Sequence, residues 1–264
     1  MNKKVVFKEL LDKFETEEMR LYCEDMIEQI PDYIFTMPSS TSGKFHNATQ
    51  CKPHGQIYHI IMFGAIMNYR LALKCNKEKF NNPIIRDAMR CVPIFHDAIK
   101  CGWNGSMYTV HEHPMLAGTW VRETKVTHDI DDDVLKEMIA RMCERHSGEW
   151  TSTKRSKIIL PEPENDMEIF IHECDILSSR SDIDMQPSEY LKGIFDGEQP
   201  KTQIADINEY VIDFGKYKGT KLVDLYAKDK GYCMWLKENS FKKEVVEMIK
   251  QIESKSTTQE DDEI

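Results

Sequence analysis

No stretch of this chain approaches the roughly 18 consecutive apolar residues that a membrane-crossing helix needs, so no membrane partner is expected. The opening run, Met1 to Glu9, has basic residues, but charges interrupt its apolar part too early for a signal peptide; a cytoplasmic location follows as the default expectation. Paired cysteines are also missing: the eight Cys stand singly at 23, 51, 75, 91, 101, 143, 174 and 233, with no CxxC. That argues against a zinc ribbon and favours free thiols over a disulfide framework. An excess of positive charge is lacking as well. A formal net charge of −10 argues against a surface that coats nucleic acid everywhere, while leaving room for a local basic groove.

The composition that remains, 41% hydrophobic and 30% charged over 264 residues, is that of a globular protein with enough chain for one large domain and a small appendage. Apolar positions from Val5 to Ile30 recur at helical spacing, which predicts one helix or two in tandem ending before Pro31. A loop from Met37 to Gly43 precedes a helix from Ile57 to about Leu73, with His59 near its start. Asn82-Pro83 opens another helix that carries Phe95-His96-Asp97 and is broken near Gly102. A further helix begins around Val110-His111-Glu112-His113-Pro114. Asp131-Asp132-Asp133 caps the next, which places His146 at its C-terminal mouth before Ser147-Gly148. The segment Met167–Arg180 forms a helix with Asp175 on the face shared by Ile171 and Ser178 or Ser179.

Beyond this, residues 186–206 read as a linker with a weak helix near Tyr190–Phe195. Residues 207–253 read as a small α+β module: a strand with a basic Gly-bounded turn over Tyr210–Gly219, then two helices, Leu222–Leu236 and Phe241–Ile252. The acidic tail 254–264 is expected to be disordered.

The chemistry concentrates at His96-Asp97, an ionisable pair flanked by apolar residues. A carboxylate carried into such surroundings needs a partner charge, often a metal ion. His59, His113, His146 and Asp175 provide further donors, each from its own predicted helix or helix end. An Asp can bridge two cations while imidazoles fill terminal positions, and mixed His–carboxylate ligation suits Mn, Fe, Zn, Co or Ni better than Mg.

Five segments carry a resemblance: Pro53–His59, Ile94–Lys100, Glu112–Gly118, Arg145–Trp150 and His172–Arg180. In order and spacing they resemble the HD-domain metal phosphohydrolases, and within them the branch holding YhaM-type 3′–5′ exoribonucleases and phage HD proteins. The match spans roughly residues 43–185. It implies an all-α HD-domain helical bundle over residues 1–185, with the helices of 1–36 packed on it. It also implies one divalent metal ion on His59, His96, Asp97 and Asp175, and a second on His113 and His146 with Asp97 bridging. Binuclear members often have consecutive histidines where this chain has Arg145-His146, so the expectation is one ion or two, the second weakly held or absent; His111 is a candidate replacement. By the same resemblance Asp97 is catalytic and Lys100 binds a phosphate oxygen beside water made acidic by the metal; Arg180 is a second candidate for that contact, with a surface or helix-capping role as the equal alternative.

The segment Asp213–Leu222 with Tyr232–Leu236 resembles the small C-terminal module of exodeoxyribonuclease X-like proteins. Lys216, Tyr217, Lys218 and Lys221 there fit nucleic-acid binding by stacking and phosphate contact; the alternative is a stabilising turn with Tyr217 and Trp235 in a mini-core. The leading expectation is a metal-dependent phosphohydrolase working from the 3′ end of single-stranded nucleic acid. A nucleotidase or cyclic-nucleotide phosphodiesterase shares the same centre, and a nucleic-acid-binding adaptor with a structural metal is the non-enzymatic alternative.

Overall fold

The computed structural model describes residues 2–40, 46–74, 78–106, 108–154, 156–183, 188–197, 207–208, 210–212, 215–239, 245–246 and 248–253. The chain divides into two compact units, Met1–Gly197 and Glu198–Ile264. The first contains α1 (Lys3–Val6), α2 (Lys8–Leu11), α3 (Glu17–Glu28), α4 (Gly55–Lys74), α5 (Pro83–Phe95), α6 (His113–Glu123), α7 (Asp133–Glu144), α8 (Asp166–Ser179) and α9 (Glu189–Gly197), with 3-10 turns at Asp32–Phe35 and Glu78–Phe80. The second contains α10 (Leu222–Lys228) and α11 (Lys230–Asn239). Among the described residues there is no strand, only isolated bridges at Thr153–Ser156 and Val211–Lys221, so the fold is helical as expected.

Helix α5 is the axis of the first unit: α3, α4, α7 and α8 all pack on it. Its start follows from sequence, with Asn82 accepting from Ile84 N and Pro83 in the first turn. Its buried face includes Met89, Val92 and Phe95; Phe95 meets Tyr22 of α3 and Trp120 of α6 edge-on, at centroid distances of 6.1 and 5.3 Å. Each such side chain contributes about 1.5–3 kcal/mol by leaving water.

Two boundaries differ from expectation. The helix carrying His96 stops at Phe95, well before Gly102, and 96–105 is a run of turns. His96 still has helical dihedrals and its N donates to Val92 O at 2.8 Å, while its Nδ1 donates to Pro93 O at 2.8 Å; beyond it the tighter bonds Ala98 N to Phe95 O and Lys100 N to Asp97 O replace the helical pattern. The N-terminal stretch breaks into three pieces, because the fully buried Asp87 of α5 accepts from Glu15 N, Thr16 N and Thr16 Oγ1 at 2.7–3.0 Å. That carboxylate does for the start of α3 what a local cap would do; Thr16 makes no side-chain cap of its own.

The expected linker 186–206 includes a packed helix. Leu191 and Phe195 of α9 join the main core, Phe195 stacks on His54 at 4.2 Å, and Tyr190 donates to Val5 O at 2.8 Å. Residues 186–187 and 198–206 of that stretch, and the tail 254–264, lie outside the described residues.

In the second unit, the described part of the expected strand and turn carries one isolated bridge, Val211–Lys221. Ile212 N donates to Thr220 O, Gly219 N to Ile212 O and Leu222 N to Tyr210 O, with Gly215 and Gly219 at φ 64° and 87°. Residues 213–214 lie outside the described residues. The first expected helix is divided at Asp229 into α10 and α11, which pack together; of the second, 245–246 and 248–252 are helical, and 241–244 and 247 lie outside the described residues.

Candidate metal centre

Five elements bring the donors together. His59 comes from the second turn of α4, His96 and Asp97 from the end of α5, His113 from the first residue of α6, His146 from the turn after α7, and Asp175 from α8. The α6–α7 pair is held close by Gly118, where a Cβ would lie 2.4 Å from Glu144 Cγ, and by Arg122 bonding Glu137 and Glu144. That pairing sets His113 near His146, with their Nε2 atoms 3.3 Å apart.

Each of the four imidazoles is oriented by its far nitrogen. Nδ1–H donates to Pro93 O from His96 (2.8 Å), to Val110 O from His113 (2.8 Å) and to Cys143 O from His146 (2.7 Å). For His59 the acceptor is Ser178 Oγ at 3.2 Å, whose own proton goes to Asp175 O. Such bonds fix the tautomer and turn Nε2 toward the ligand, the arrangement that metal-binding histidines use.

The Nε2 atoms meet carboxylate oxygens. His59 lies 3.0 Å from Asp175 Oδ1, which is 4.0 Å from His96; His113 lies 3.0 Å and His146 3.9 Å from Asp97 Oδ1; His96 lies 3.3 Å from Asp97 Oδ2. Yet His96 Nε2, Asp97 Oδ1 and Asp175 Oδ1 are buried with no hydrogen-bond partner. Leaving buried polar atoms unpaired costs about 1–3 kcal/mol each, and a cation among them removes that cost. The donor set fits a divalent ion: His59, His96 and Asp175 form one group able to hold it, and His96, Asp97 and His146 another.

The electrostatics point the same way. Burial, reinforced by neighbouring His96, depresses the His146 imidazole to about 3, leaving it neutral. Burial also lowers His59, against the pull of Asp175. Burial alone would raise both carboxyls; Lys100, His96 and His113 instead hold Asp97 well below the carboxylate range, and His59, His96 and His146 do so for Asp175. Burial would lower His96 too, but Asp97 and Asp175 raise it. Two ionised carboxylates thus draw a proton toward His96, a demand for positive charge that a metal ion also meets.

Asp97 Oδ2 is already engaged: Lys100 Nζ donates to it at 2.7 Å and Gln56 Nε2 at 2.9 Å, while Lys100 also donates to Gln56 Oε1 at 2.8 Å. Asp97 therefore offers Oδ1 to an ion. Sequence reasoning missed Gln56, although it lies one helical turn before His59 and so shares its inward face. It also missed Ser178, one turn after Asp175, and His46, whose ring meets that of His59 at 5.0 Å and is lowered to about 4 by burial.

The other expected residues are placed differently. Arg145 turns away from the donors to Glu164 and Glu168, and His111 donates to Thr151 O and Ile158 O, so neither adds a ligand. Arg180 lines the cleft but forms a fork with Asp182 at 2.8 and 2.6 Å. In the second unit Tyr217 donates to Asp229 Oδ2 at 2.7 Å and meets Tyr232 edge-on, which in turn stacks on Trp235. Lys216 lies over the Tyr217 ring, Lys218 is exposed, and Lys221 is half-buried.

The donors sit in a cleft of about 700 Å³ whose lining also includes Ser39, Ser147, Trp150 and Arg180. No helix among the described residues is long and apolar enough to cross a membrane. No family model, curated protein or solved structure matches this chain.

Proposed function

We propose that this chain is a metal-dependent phosphohydrolase of the HD type, cleaving phosphoesters with water. The observation that carries the reading is the convergence of outward-pinned imidazoles on two buried carboxylates whose inward oxygens lack hydrogen bonds. His59, His96, Asp97 and Asp175 would hold a first ion, with His113 and His146 flanking Asp97 Oδ1 for a second. A divalent ion there supplies Lewis acidity, acidifying water and screening phosphate charge.

The chain's own residues do the rest. Gln56 and Lys100 fix the Asp97 carboxylate, so its inward oxygen keeps one position. Two of the three Lys100 protons are committed there, which leaves Arg180, once its fork leaves Asp182, to take phosphate oxygens at the mouth. The donors lie at the base of a cleft, and this favours a terminal phosphoester over one in the middle of a duplex. That supports exonucleolytic cleavage of a single strand, in which Lys216, Lys218 and Lys221 would add phosphate contacts and Tyr217 would hold the turn that presents them.

The test is metal analysis paired with a substrate panel: labelled single-stranded DNA and RNA, mononucleotides, and bis(4-nitrophenyl) phosphate, each with Mn²⁺. Release of nucleotides from strand ends is the expected result. Hydrolysis confined to mononucleotides would replace the nuclease reading with a nucleotidase, and a bound ion with no hydrolysis of any substrate would contradict the enzyme.

A further inference from the structure

We propose that Trp150 is the base-stacking platform of the cleft, so that preferred substrates are phosphoesters carrying a nucleobase; this rests on the phosphohydrolase reading above. Apart from Trp150 and Ile176, the cleft lining is polar or titratable. Trp150 stands in that lining with 55% of its surface exposed. Exposure alone is no signal, since Trp103 and Trp235 are as open and do not line the cleft. What singles out Trp150 is an open indole four residues from His146, beside groups suited to a phosphate.

The indole is also held in register with the metal donors. Trp150 N donates to Ser147 O at 3.2 Å, and the next residue is tied down by Thr151 N to Glu149 O, Leu160 N to Thr151 O and His111 Nε2 to Thr151 O. The ring meets His172 at 5.8 Å and 66°, and His172 Nδ1–H donates to His146 O at 2.8 Å. One chain of contacts therefore links the platform to a residue that faces Asp97. A flat aromatic with only two side-chain torsions loses little freedom on binding, and every nucleobase presents a face to it whatever its identity. A sugar phosphate without a base has nothing to place there.

Calorimetric titration of the full chain with Mn²⁺ tests this, using 5′-phosphonomethyl analogues of adenosine and of ribose, which keep the charge and resist hydrolysis. Trp150→Ala should weaken the adenosine analogue on the order of 10-fold, the loss typical of one stacked base, and leave the ribose analogue unchanged. Trp150→Leu, which keeps bulk without a π face, should behave like Trp150→Ala; Trp150→Phe should restore most of the affinity, and Trp103→Ala should change nothing. Equal weakening of both analogues, or no weakening of either, overturns the platform while wild-type binding of both leaves the phosphohydrolase reading standing. A wild-type chain that binds neither analogue overturns both.

Discussion

At the scale of single residues, the centre depends on which nitrogen of each imidazole is free. Ser178 is the sharpest case, because its hydroxyl relays one bond from His59 to the backbone of Asp175 and so orients two donors at once. Ser178→Ala should weaken divalent-ion affinity on the order of 10-fold, with little change in thermal stability, as read by metal titration beside an unfolding curve; unchanged affinity would mean that packing alone orients His59. His96→Ala and Asp97→Ala should each abolish turnover with helix content, by circular dichroism, near that of the wild type; retained turnover in both would remove them from the chemistry. His59, His96, Asp97, His113, His146 and Asp175 were legible as candidates because ionisable side chains within or beside apolar helices stand out. Gln56 and Ser178 were not, because an amide or hydroxyl on a helix is ordinary until its partner is known. Arg180 was legible as a cation, yet its fork with Asp182 depends on how the chain turns after α8.

At the scale of elements, starts were easier to read than ends. Asn82, Asp132 and Asn165 cap α5, α7 and α8 through their own side chains, a signal written locally. The break before α3 is not local, since the carboxylate that stabilises it belongs to Asp87, over 70 residues away. Asp87 also pairs with Arg90, so Asp87→Ala leaves the Glu15 and Thr16 amides without their acceptor and takes one of Arg90's three acceptors, the others being Glu15 and Asn68. It should cost about 3 kcal/mol or more in urea unfolding; a loss under about 0.5 kcal/mol, the range of a plain surface substitution, would contradict that role. Glu15, bonded to Arg86 and Arg90, is lowered from 4.5 to about 2. Its folded-state pKa lies below its ordinary value, so its contribution is complete above about 4.5 and is lost as pH falls toward about 2. Stability measured across that window should therefore decline less in Glu15→Gln than in the wild type. At the end of α7, Gly148 sits at φ 59°, and a Cβ there would lie 1.9 Å from His172 Cε1. Gly148→Ala is expected to lower stability by about 1–3 kcal/mol from the backbone strain alone, with ion affinity falling as the His146 turn shifts.

At the scale of the whole molecule, the donors all fall within Met1–Gly197, and the basic turn with its aromatic row falls within Glu198–Ile264. The helical class was legible from periodicity. The packed α9 was not, since a short Gly-bearing segment beside Pro and Asp residues reads as a connection until Leu191 and Phe195 find their core. A chain ending at Gly197 should bind a divalent ion as the full chain does while losing affinity for single strands. Equal strand affinity in both would remove the second unit from substrate binding. The central claim, that these imidazoles and carboxylates form a cation site, is tested most directly by equilibrium dialysis against Mn²⁺ and Zn²⁺ with elemental analysis of the protein. The wild-type chain should retain at least one ion per molecule, and His96→Ala and Asp175→Ala should each lose it; retention by wild type and variants alike, or by none, would contradict the account.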